Sequence, residues 1–306
     1  MRAIAMADFG APPSVTEVPR PVPAAGEVLV KVAASSVNGF DTAVVAGRLQ
    51  GMMEHRFPVV VGKDFAGTVA AIGDGVTRFT VGDVVFGVVM KPFLGDGGFG
   101  EYVAVPEEYG IAAVPAGLDL PTAGALGLAG TAAVDAVDVV SPGPGRFVLV
   151  AGATGGVGAI ATQYAAAAGA SVIATARPGA EEDFVRGLGA YHVVDYAGDV
   201  TAQVRAIAAD GVDAVVHLVG DGGALAGLLA DGGRLASTVG FGPDQHPKAT
   251  AVMASPEPAT LGRLAADVVS GRIRVPVMAT YELDDVPTAL TAFAGGTLGK
   301  LGVRVA

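Results

Sequence analysis

Residues 151–158, Ala-Gly-Ala-Thr-Gly-Gly-Val-Gly, have the composition of a phosphate-binding turn. They follow an apolar run at 147–151, predicted as a strand, and lead into an alanine-rich run at 157–168, predicted as a helix. Glycines allow a tight turn, a close approach of the backbone to a pyrophosphate, and close packing of the helix on its strand. The N–H groups at the helix start then face the anion. The segment predicts the pyrophosphate site of a dinucleotide, with a tight turn that binds nothing as the alternative.

Arg177 indicates which dinucleotide this site binds. It comes directly after the next predicted strand, at 171–176, where an NAD site usually has an acidic residue for the ribose 2′-hydroxyl. Arginine can instead pair with a 2′-phosphate through charge-assisted hydrogen bonds. The nearest acids, Glu181 and Glu182, lie beyond a Pro-Gly turn. We therefore predict NADP(H) as the cofactor, with a solvated surface arginine as the alternative.

The surrounding elements alternate between strands and helices. Predicted strands lie at 147–151, 171–176, 193–194, 214–219 and 234–239, with helices at 157–168, 181–188, 200–209 and 223–229. Such alternation implies right-handed crossovers and a doubly wound parallel sheet, so the fold class is α/β.

The first 115 residues follow a different pattern. Short strands are predicted at 28–32, 57–61, 68–72, 83–89 and 100–105, and Gly and Pro punctuate them as in a small β-barrel. Helices are predicted at 122–139 and 258–270, and the last stretch, 274–306, mixes strand and helix.

Composition limits the classes of partner and location. The chain has 306 residues, 51% of them hydrophobic, which suits two domains with large cores. A net charge of −11 argues against nucleic acids and anionic membranes as partners. The start does not resemble a signal peptide, and Asp135 and Asp138 interrupt the apolar segment 121–140, so a cytoplasmic location is expected. The absence of cysteine excludes disulfides, cysteine nucleophiles and thiolate metal sites.

Several further motifs follow one another in a specific order along nearly the whole chain. They are ASSVNGFD at 34–41, FPVVVGKDFAGTV at 57–69, GDVVFG at 82–87, GFGEYV at 98–103, GLGA at 187–190, VVDY at 193–196, GGRL at 232–235 and GKL at 299–301. With the glycine-rich turn, they make the chain resemble the medium-chain dehydrogenase/reductase superfamily, in its zinc-independent quinone oxidoreductase (zeta-crystallin-like) branch.

The resemblance implies a domain organisation. A GroES-like β-barrel domain is expected at 1–121, a Rossmann-type NADP-binding domain at 122–258, and a C-terminal segment that returns to the barrel at 259–306. Family members often form dimers through the nucleotide domain, so a homodimer is expected as well.

The resemblance also implies roles for individual residues. Pyrophosphate contacts are expected from Thr154, Gly155, Gly156 and Val157, and 2′-phosphate contacts from Arg177 and Tyr196. Residues at later strand ends, Val219, Val239 and Phe241, are expected to border the adenine and the nicotinamide ribose. Asn38 and Thr131 match positions near the nicotinamide, and Lys300 matches a Gly-Lys step near the cleft.

Departures from the zinc-dependent relatives predict that no metal is bound. Those relatives carry Gly-His-Glu where this chain has Gly62-Lys63-Asp64, and Asn38 stands in the region of their catalytic cysteine. The four histidines are widely scattered, without the spacing that zinc ligands need.

Three polar positions keep two interpretations each. Lys63 could polarise a carbonyl or contact a phosphate, but an ion pair with Asp64 at the barrel edge is favoured. His217 could approach the cofactor or be a satisfied core histidine. Asp41 could be catalytic, but support of the loop near Asn38 is the favoured role.

The function that follows is reduction of a small molecule. Without zinc, hydride transfer to a quinone or an α,β-unsaturated carbonyl is favoured over alcohol oxidation, because a few donors, such as the Asn38 amide, can stabilise the distant oxyanion. The expected protein is an NADPH-dependent reductase of such compounds. One alternative is an enoyl reductase acting on a thioester or polyketide-type intermediate. The other is a non-catalytic NADPH-binding sensor or crystallin-like protein.

Overall fold

The computed structural model describes all 306 residues. Its strands, β1 to β18 in chain order, are Arg2–Met6, Ser14–Glu17, Glu27–Ser36, Glu54–His55, Val59–Val60, Asp64–Ile72, Val84–Val88, Phe93–Leu94, Tyr102–Pro106, Ile111–Ala113, Phe147–Ala151, Ser171–Thr175, His192–Val194, Val212–His217, Leu229–Ser237, Ala249–Ala251, Val277–Glu282 and Lys300–Arg304. Its helices, α1 to α9, are Gly39–Val45, Leu120–Ala123, Gly127–Val140, Gly156–Ala167, Ala180–Arg186, Val200–Ile207, Gly222–Ala226, Pro258–Val269 and Val286–Ala294.

The chain forms two compact units. Unit 1 comprises residues 1–128, 256–271 and 277–306, and unit 2 comprises residues 129–255 and 272–276. The sequence places its domain boundaries at 121 and 258, whereas the units divide inside α3 and after Ser255.

Unit 2 is built on a six-stranded parallel sheet in the order β13-β12-β11-β14-β15-β16. Helices cross between successive strands, so β11 is covered on both faces and its residues 148–150 are fully buried. The chain runs from β11 to β12 on one side and reaches β14 on the other, so the strand order reverses at β11. Ligands of such sheets bind outside the carboxyl ends of the strands at this reversal. The predicted doubly wound sheet is confirmed.

Unit 1 is a β domain with a mainly antiparallel sheet. Its strands run in the order β10-β7-β6-β3-β18-β17, with β9 also paired to β3. A smaller sheet has the order β2-β1-β5. Phe65, Phe86 and Phe99 are fully buried in this unit, which gives it a core of its own. Strand β18 comes from the end of the chain and pairs with β3, Gly302 opposite Ser36.

Some elements differ from the predicted ones. The helix predicted at 122–139 is two helices, α2 and α3. Gly124 lies between them as the C-cap of α2, and a Cβ atom there would approach the Ala34 carbonyl to 2.9 Å, so this close contact requires glycine. The short strands β1, β2 and β16 and helix α1 are not predicted, because their apolar runs are brief. None of the helices combines the length and the apolar character of a membrane span.

Candidate cofactor site

The glycine-rich turn joins β11 to α4 in the predicted position. Gly152 has φ of +95°, a left-handed conformation that glycine adopts without strain. Gly155 then precedes the first residue of α4 with an extended backbone, φ −75° and ψ 173°. The first N–H groups of α4 have no partner within the helix and point out of its N-terminus.

The fourth glycine, Gly158, lets α4 pack on the turn. A Cβ atom at this position would lie 2.1 Å from the Gly152 carbonyl oxygen, closer than any Cβ atom can come. Gly155 is different, since a Cβ atom there would meet only that same oxygen, at 3.7 Å. Gly158 therefore serves packing, and Gly155 leaves open space over the turn.

A cavity of about 460 Å³ opens beside the turn, at the carboxyl ends of the strands. Thr154, Thr175, Tyr196, Val219 and Asp221 contribute to its lining. This volume lies within the range of about 300–1,000 Å³ typical of small-molecule sites. The cavity lies where the strand order reverses.

Thr175, the last residue of β12, holds the turn in place. Its hydroxyl oxygen accepts a hydrogen bond from the Gly152 N–H at 2.9 Å. The side chain is almost completely buried. Thr175 is not among the predicted site residues, although the sequence shows a hydroxyl residue at the end of this neighbouring strand.

Arg177 and Tyr196 lie together next to this cavity. The Arg177 guanidinium carbon is 5.1 Å from the centroid of the Tyr196 ring. Glu181 contacts both residues. Its carboxylate accepts hydrogen bonds from the Arg177 backbone N–H at 2.9 Å and from the Tyr196 hydroxyl at 3.1 Å. Burial, and after it the hydrogen bond and charge of Glu181, raise the pKa of the Tyr196 hydroxyl. The tyrosine is therefore a hydrogen-bond donor at neutral pH.

Val219 and Val239 leave large apolar surfaces uncovered after β14 and β15. Their exposed fractions are 59% and 55%. Buried Ser237 fixes the second of these loops, because its hydroxyl oxygen accepts the N–H groups of Val239 and Phe241, at 3.2 and 3.3 Å. Val219 lines the cavity. Thr131, by contrast, is fully buried in α3.

His217, the last residue of β14, is a core residue. It is 2% exposed, and its Nε2 lies 3.1 Å from the Gly220 carbonyl oxygen. The edge of the Phe241 ring stands against it, with 5.9 Å between ring centroids. Gly222 makes room for that ring, since a Cβ atom there would lie 2.5 Å from it. The His217 Nδ1 is buried without a hydrogen-bond partner, so this core histidine is satisfied at one nitrogen only.

Unit 1 contains a buried polar cluster around Asp64. The carboxylate oxygen Oδ2 accepts the Ser36 hydroxyl at 2.6 Å and the Asn38 Nδ2 at 2.8 Å. The other oxygen, Oδ1, accepts the Leu128 N–H at 2.8 Å. The Lys300 ammonium lies 3.5 Å from Oδ2, so a buried cation balances a buried anion.

The Lys300 ammonium makes all its bonds within unit 1. Its Nζ donates to the Val37 carbonyl at 3.0 Å and to the Asn38 Oδ1 at 2.6 Å, and Asp64 takes the third direction. Asn38 in turn donates from Nδ2 to Ser36 O at 3.2 Å as well as to Asp64. Both ends of the Asn38 amide are thereby bonded within unit 1.

The favoured ion pair between Lys63 and Asp64 is wrong. Neighbouring residues of an extended chain point in opposite directions, so only Asp64 faces the buried cluster. The Lys63 ammonium donates to the Val89 carbonyl and lies 4.8 Å from the centroid of the Phe40 ring. Burial lowers the pKa of Lys63, against the charges of Asp41 and Asp64.

Asp41 supports the loop before α1, as predicted. Its Oδ2 accepts the Asn38 backbone N–H at 2.8 Å, while Oδ1 is buried without a partner. Burial raises the pKa of this carboxyl from 3.8 to about 7, although the Asn38 hydrogen bond acts against the increase.

No group of three or more His, Asp or Glu side chains is arranged to hold a metal ion.

Two protein families match the chain. Residues 24–116 match the alcohol dehydrogenase GroES-like domain, and residues 156–271 match the zinc-binding dehydrogenase family. The chain belongs to the medium-chain dehydrogenase/reductase superfamily, which confirms the resemblance derived from the motifs.

Within that superfamily, the chain is similar to quinone oxidoreductases. A quinone oxidoreductase of Lama guanicoe is 31% identical over 251 residues, which covers 79% of this chain and 74% of the relative. A chloroplast envelope quinone oxidoreductase homolog of Arabidopsis thaliana is 35% identical over 210 residues, or 66% of this chain. The match spans 62% of the length of that relative. A mycocerosic acid synthase-like polyketide synthase of Mycobacterium tuberculosis is 39% identical over 217 residues, 69% of this chain and 10% of that protein.

Solved structures share the whole fold. The quinone oxidoreductase of Coxiella burnetii superposes with a TM-score of 0.90 and 27% identity, covering 100% of this chain and 99% of the other. A mycobacterial protein complexed with NADPH gives a TM-score of 0.86 and 28% identity, with both chains fully covered.

Proposed function

We propose that the protein is an NADPH-dependent reductase of quinones or α,β-unsaturated carbonyl compounds. The observation that carries this proposal is the cavity at the reversal of strand order in unit 2, lined by the glycine-rich turn and by Tyr196, with the Arg177 guanidinium over the Tyr196 ring. Similarity to quinone oxidoreductases and to an NADPH complex supports the class of acceptor and of cofactor.

The turn would hold the pyrophosphate of the cofactor. Thr154 would supply a hydroxyl, and the backbone N–H groups of Gly156 and Val157 would supply donors at the positive end of the α4 dipole. The Gly155 N–H lies beside them and also donates to the Gly152 carbonyl at 3.3 Å. Thr175 keeps these donors aligned by binding the Gly152 N–H. The open space over Gly155 lets the anion come close to the backbone.

Arg177 and Tyr196 would bind the 2′-phosphate, and the exposed side chains of Val219 and Val239 would cover the apolar rings. When bound, NADPH supplies a hydride equivalent. The chain contributes position and electrostatics to that chemistry. The Asn38 amide is already bonded at both ends, so its contribution here is to hold Asp64 and Lys300 rather than to polarise an acceptor.

Steady-state oxidation of NADPH tests the reaction. We expect saturable turnover with at least one member of a panel of benzoquinones, naphthoquinones and enones. A conjugated thioester belongs in the same panel, because similarity to the polyketide synthase favours an enoyl reductase as the second candidate. Turnover of the thioester alone would support that second candidate. Tight NADPH binding without turnover of any acceptor would leave a non-catalytic NADPH-binding protein.

Arg177→Ala tests the choice of cofactor. The variant is expected to bind NADPH roughly 10–100-fold more weakly, the value of one or two hydrogen bonds to a charged group, while NADH binding stays close to that of the wild type. Calorimetric titration of both dinucleotides measures this difference. Arg186→Ala is the matched control, since Arg186 is an exposed arginine of α5 that pairs with Glu182 at 2.8 Å. Equal weakening of both dinucleotides in Arg177→Ala would contradict the assignment.

A further inference from the structure

The Glu181 side chain folds back over the end of β12 and accepts hydrogen bonds from two residues of the proposed cofactor site. One carboxylate oxygen accepts the Arg177 N–H at 2.9 Å, and the other accepts the Tyr196 hydroxyl at 3.1 Å. The bend that brings it there is at Gly179, which has φ of +94° directly before α5. The Pro-Gly pair between Arg177 and Glu181 suggests that the glutamate lies away from the arginine, but this turn reverses the chain.

The side chain of the adjacent acid, Glu182, has a different partner. Glu182 pairs with Arg186 along α5, with 2.8 Å between its Oε1 and the guanidinium. The two glutamates stand one residue apart on the same short helix, but only Glu181 faces Arg177 and Tyr196. Only the Glu181 side chain therefore makes this contact, and the charge of Glu182 provides a comparison on the same helix.

A carboxylate with one donor on each oxygen resembles a phosphate in charge and in hydrogen bonding. Both anions would need the Tyr196 hydroxyl, and the Arg177 N–H bound by Glu181 belongs to the residue whose guanidinium is assigned to the 2′-phosphate, so the phosphate would enter directly beside the carboxylate. Two anions in contact repel each other, and a phosphate entering here must first displace the carboxylate. A dinucleotide with a free 2′-hydroxyl brings no second anion and leaves Glu181 in place.

We propose that Glu181 is a resident competitor of the cofactor's 2′-phosphate and thereby sets the ratio of NADPH to NADH affinity. The proposal rests on the function proposed above, because it assumes that Arg177 and Tyr196 receive that phosphate. In this arrangement the protein binds NADPH less tightly than its own donors allow. Removing the carboxylate releases the Arg177 N–H and the Tyr196 hydroxyl for the phosphate.

The test uses the adenosine halves of the two cofactors, 2′,5′-ADP and 5′-AMP, titrated calorimetrically into the full-length protein. Glu181→Gln and Glu181→Ala are both expected to bind 2′,5′-ADP roughly 3–10-fold more tightly than the wild type, while 5′-AMP affinity changes by less than about twofold. Glu182→Gln is the matched control, because it removes the same charge one residue away. Far-UV circular dichroism establishes that each variant is folded.

Three outcomes would overturn the proposal. The first is a 2′,5′-ADP affinity that is unchanged or lower in both Glu181 variants. The second is an equal rise in affinity in Glu182→Gln, which would indicate a general charge effect. The third is a rise in Glu181→Gln alone, which would indicate a new amide donor. The double variant Arg177→Ala/Glu181→Ala distinguishes a failure of the Glu181 proposal from a failure of the cofactor assignment. If Arg177→Ala leaves 2′,5′-ADP affinity unchanged there, no phosphate binds at Arg177 and the cofactor assignment itself fails.

Discussion

Replacing Gly158 by alanine is expected to destabilise unit 2 and to remove tight NADPH binding. The new Cβ atom would start 2.1 Å from the Gly152 carbonyl oxygen and 2.7 Å from the Ala153 Cα, whereas real Cβ contacts stay above 3.0 Å. Both neighbours are backbone atoms of the turn, so no side chain can rotate away. The helix and the turn must separate by nearly an ångström.

The size of the effect follows from that displacement. Overpacking of a close interior contact typically costs about 1–3 kcal/mol of unfolding free energy. Misplacing the N–H groups of the turn by about 1 Å is expected to weaken NADPH binding by roughly 10–100-fold, because it costs one or two hydrogen bonds to the charged pyrophosphate. Urea denaturation followed by far-UV circular dichroism suits this protein, which contains no tryptophan, and calorimetry gives the affinity.

Two other glycines separate the possible causes. Gly262→Ala adds a methyl group to α8 where a Cβ atom meets nothing within 4 Å, so it should raise stability by about 0.5–1 kcal/mol. Gly155→Ala stays in the turn, has an allowed φ of −75°, and should weaken NADPH binding without loss of stability. Wild-type stability and affinity in Gly158→Ala would refute the proposed role of the turn.

Local patterns explain why the glycine-rich turn was predictable. Strand β11 has the bounds expected from the sequence, and α4 begins one residue before the predicted start. An apolar run, a glycine cluster and an alanine-rich run are adjacent in sequence, so their contacts need no knowledge of distant residues. Arg177 is selected from the sequence for the same reason, because it follows the end of one strand, and its contact with a 2′-phosphate stays a prediction.

The contacts that the sequence did not reveal depend on chain reversals and on long separations. The return of Glu181 to Arg177 needs the left-handed conformation of Gly179, which a Pro-Gly pair permits but does not specify. Lys300 meets Asn38 across 262 residues, through the pairing of β18 with β3. Nothing in either local sequence identifies the other as its partner. The motifs therefore marked Asn38 and Lys300 as important without revealing that they bond to each other.

Replacing Lys300 by methionine is expected to lower the stability of unit 1 by about 3–5 kcal/mol, because it leaves the Asp64 carboxylate buried without its cation. Lys300 is 2% exposed and Asp64 is fully buried, so water cannot take over the lost interaction. The Val37 carbonyl and the Asn38 Oδ1 lose their donor at the same time. The loss would be a large part of the roughly 5–15 kcal/mol that stabilises a typical domain.

Lys300→Met combined with Asp64→Asn tests whether the lost charge balance is the cause. The double variant has neither buried charge, and Asn can still accept hydrogen bonds from Ser36 or Leu128, so we expect it to regain more than half of the lost stability. Lys31→Met, a change of the same type at an exposed position of β3, should alter stability by less than about 0.5 kcal/mol. Urea denaturation of all three variants gives the comparison.

NADPH affinity decides between the structural role of Lys300 and the cofactor contact that the family resemblance implies. All three directions of its ammonium are taken by Val37, Asn38 and Asp64, so the folded double variant should bind NADPH as the wild type does. A loss of affinity with stability restored would mean that the ammonium contacts the cofactor after leaving at least one of these partners. A double variant no more stable than Lys300→Met would show that the hydrogen bonds to Val37 and Asn38, rather than the charge of Asp64, make Lys300 indispensable.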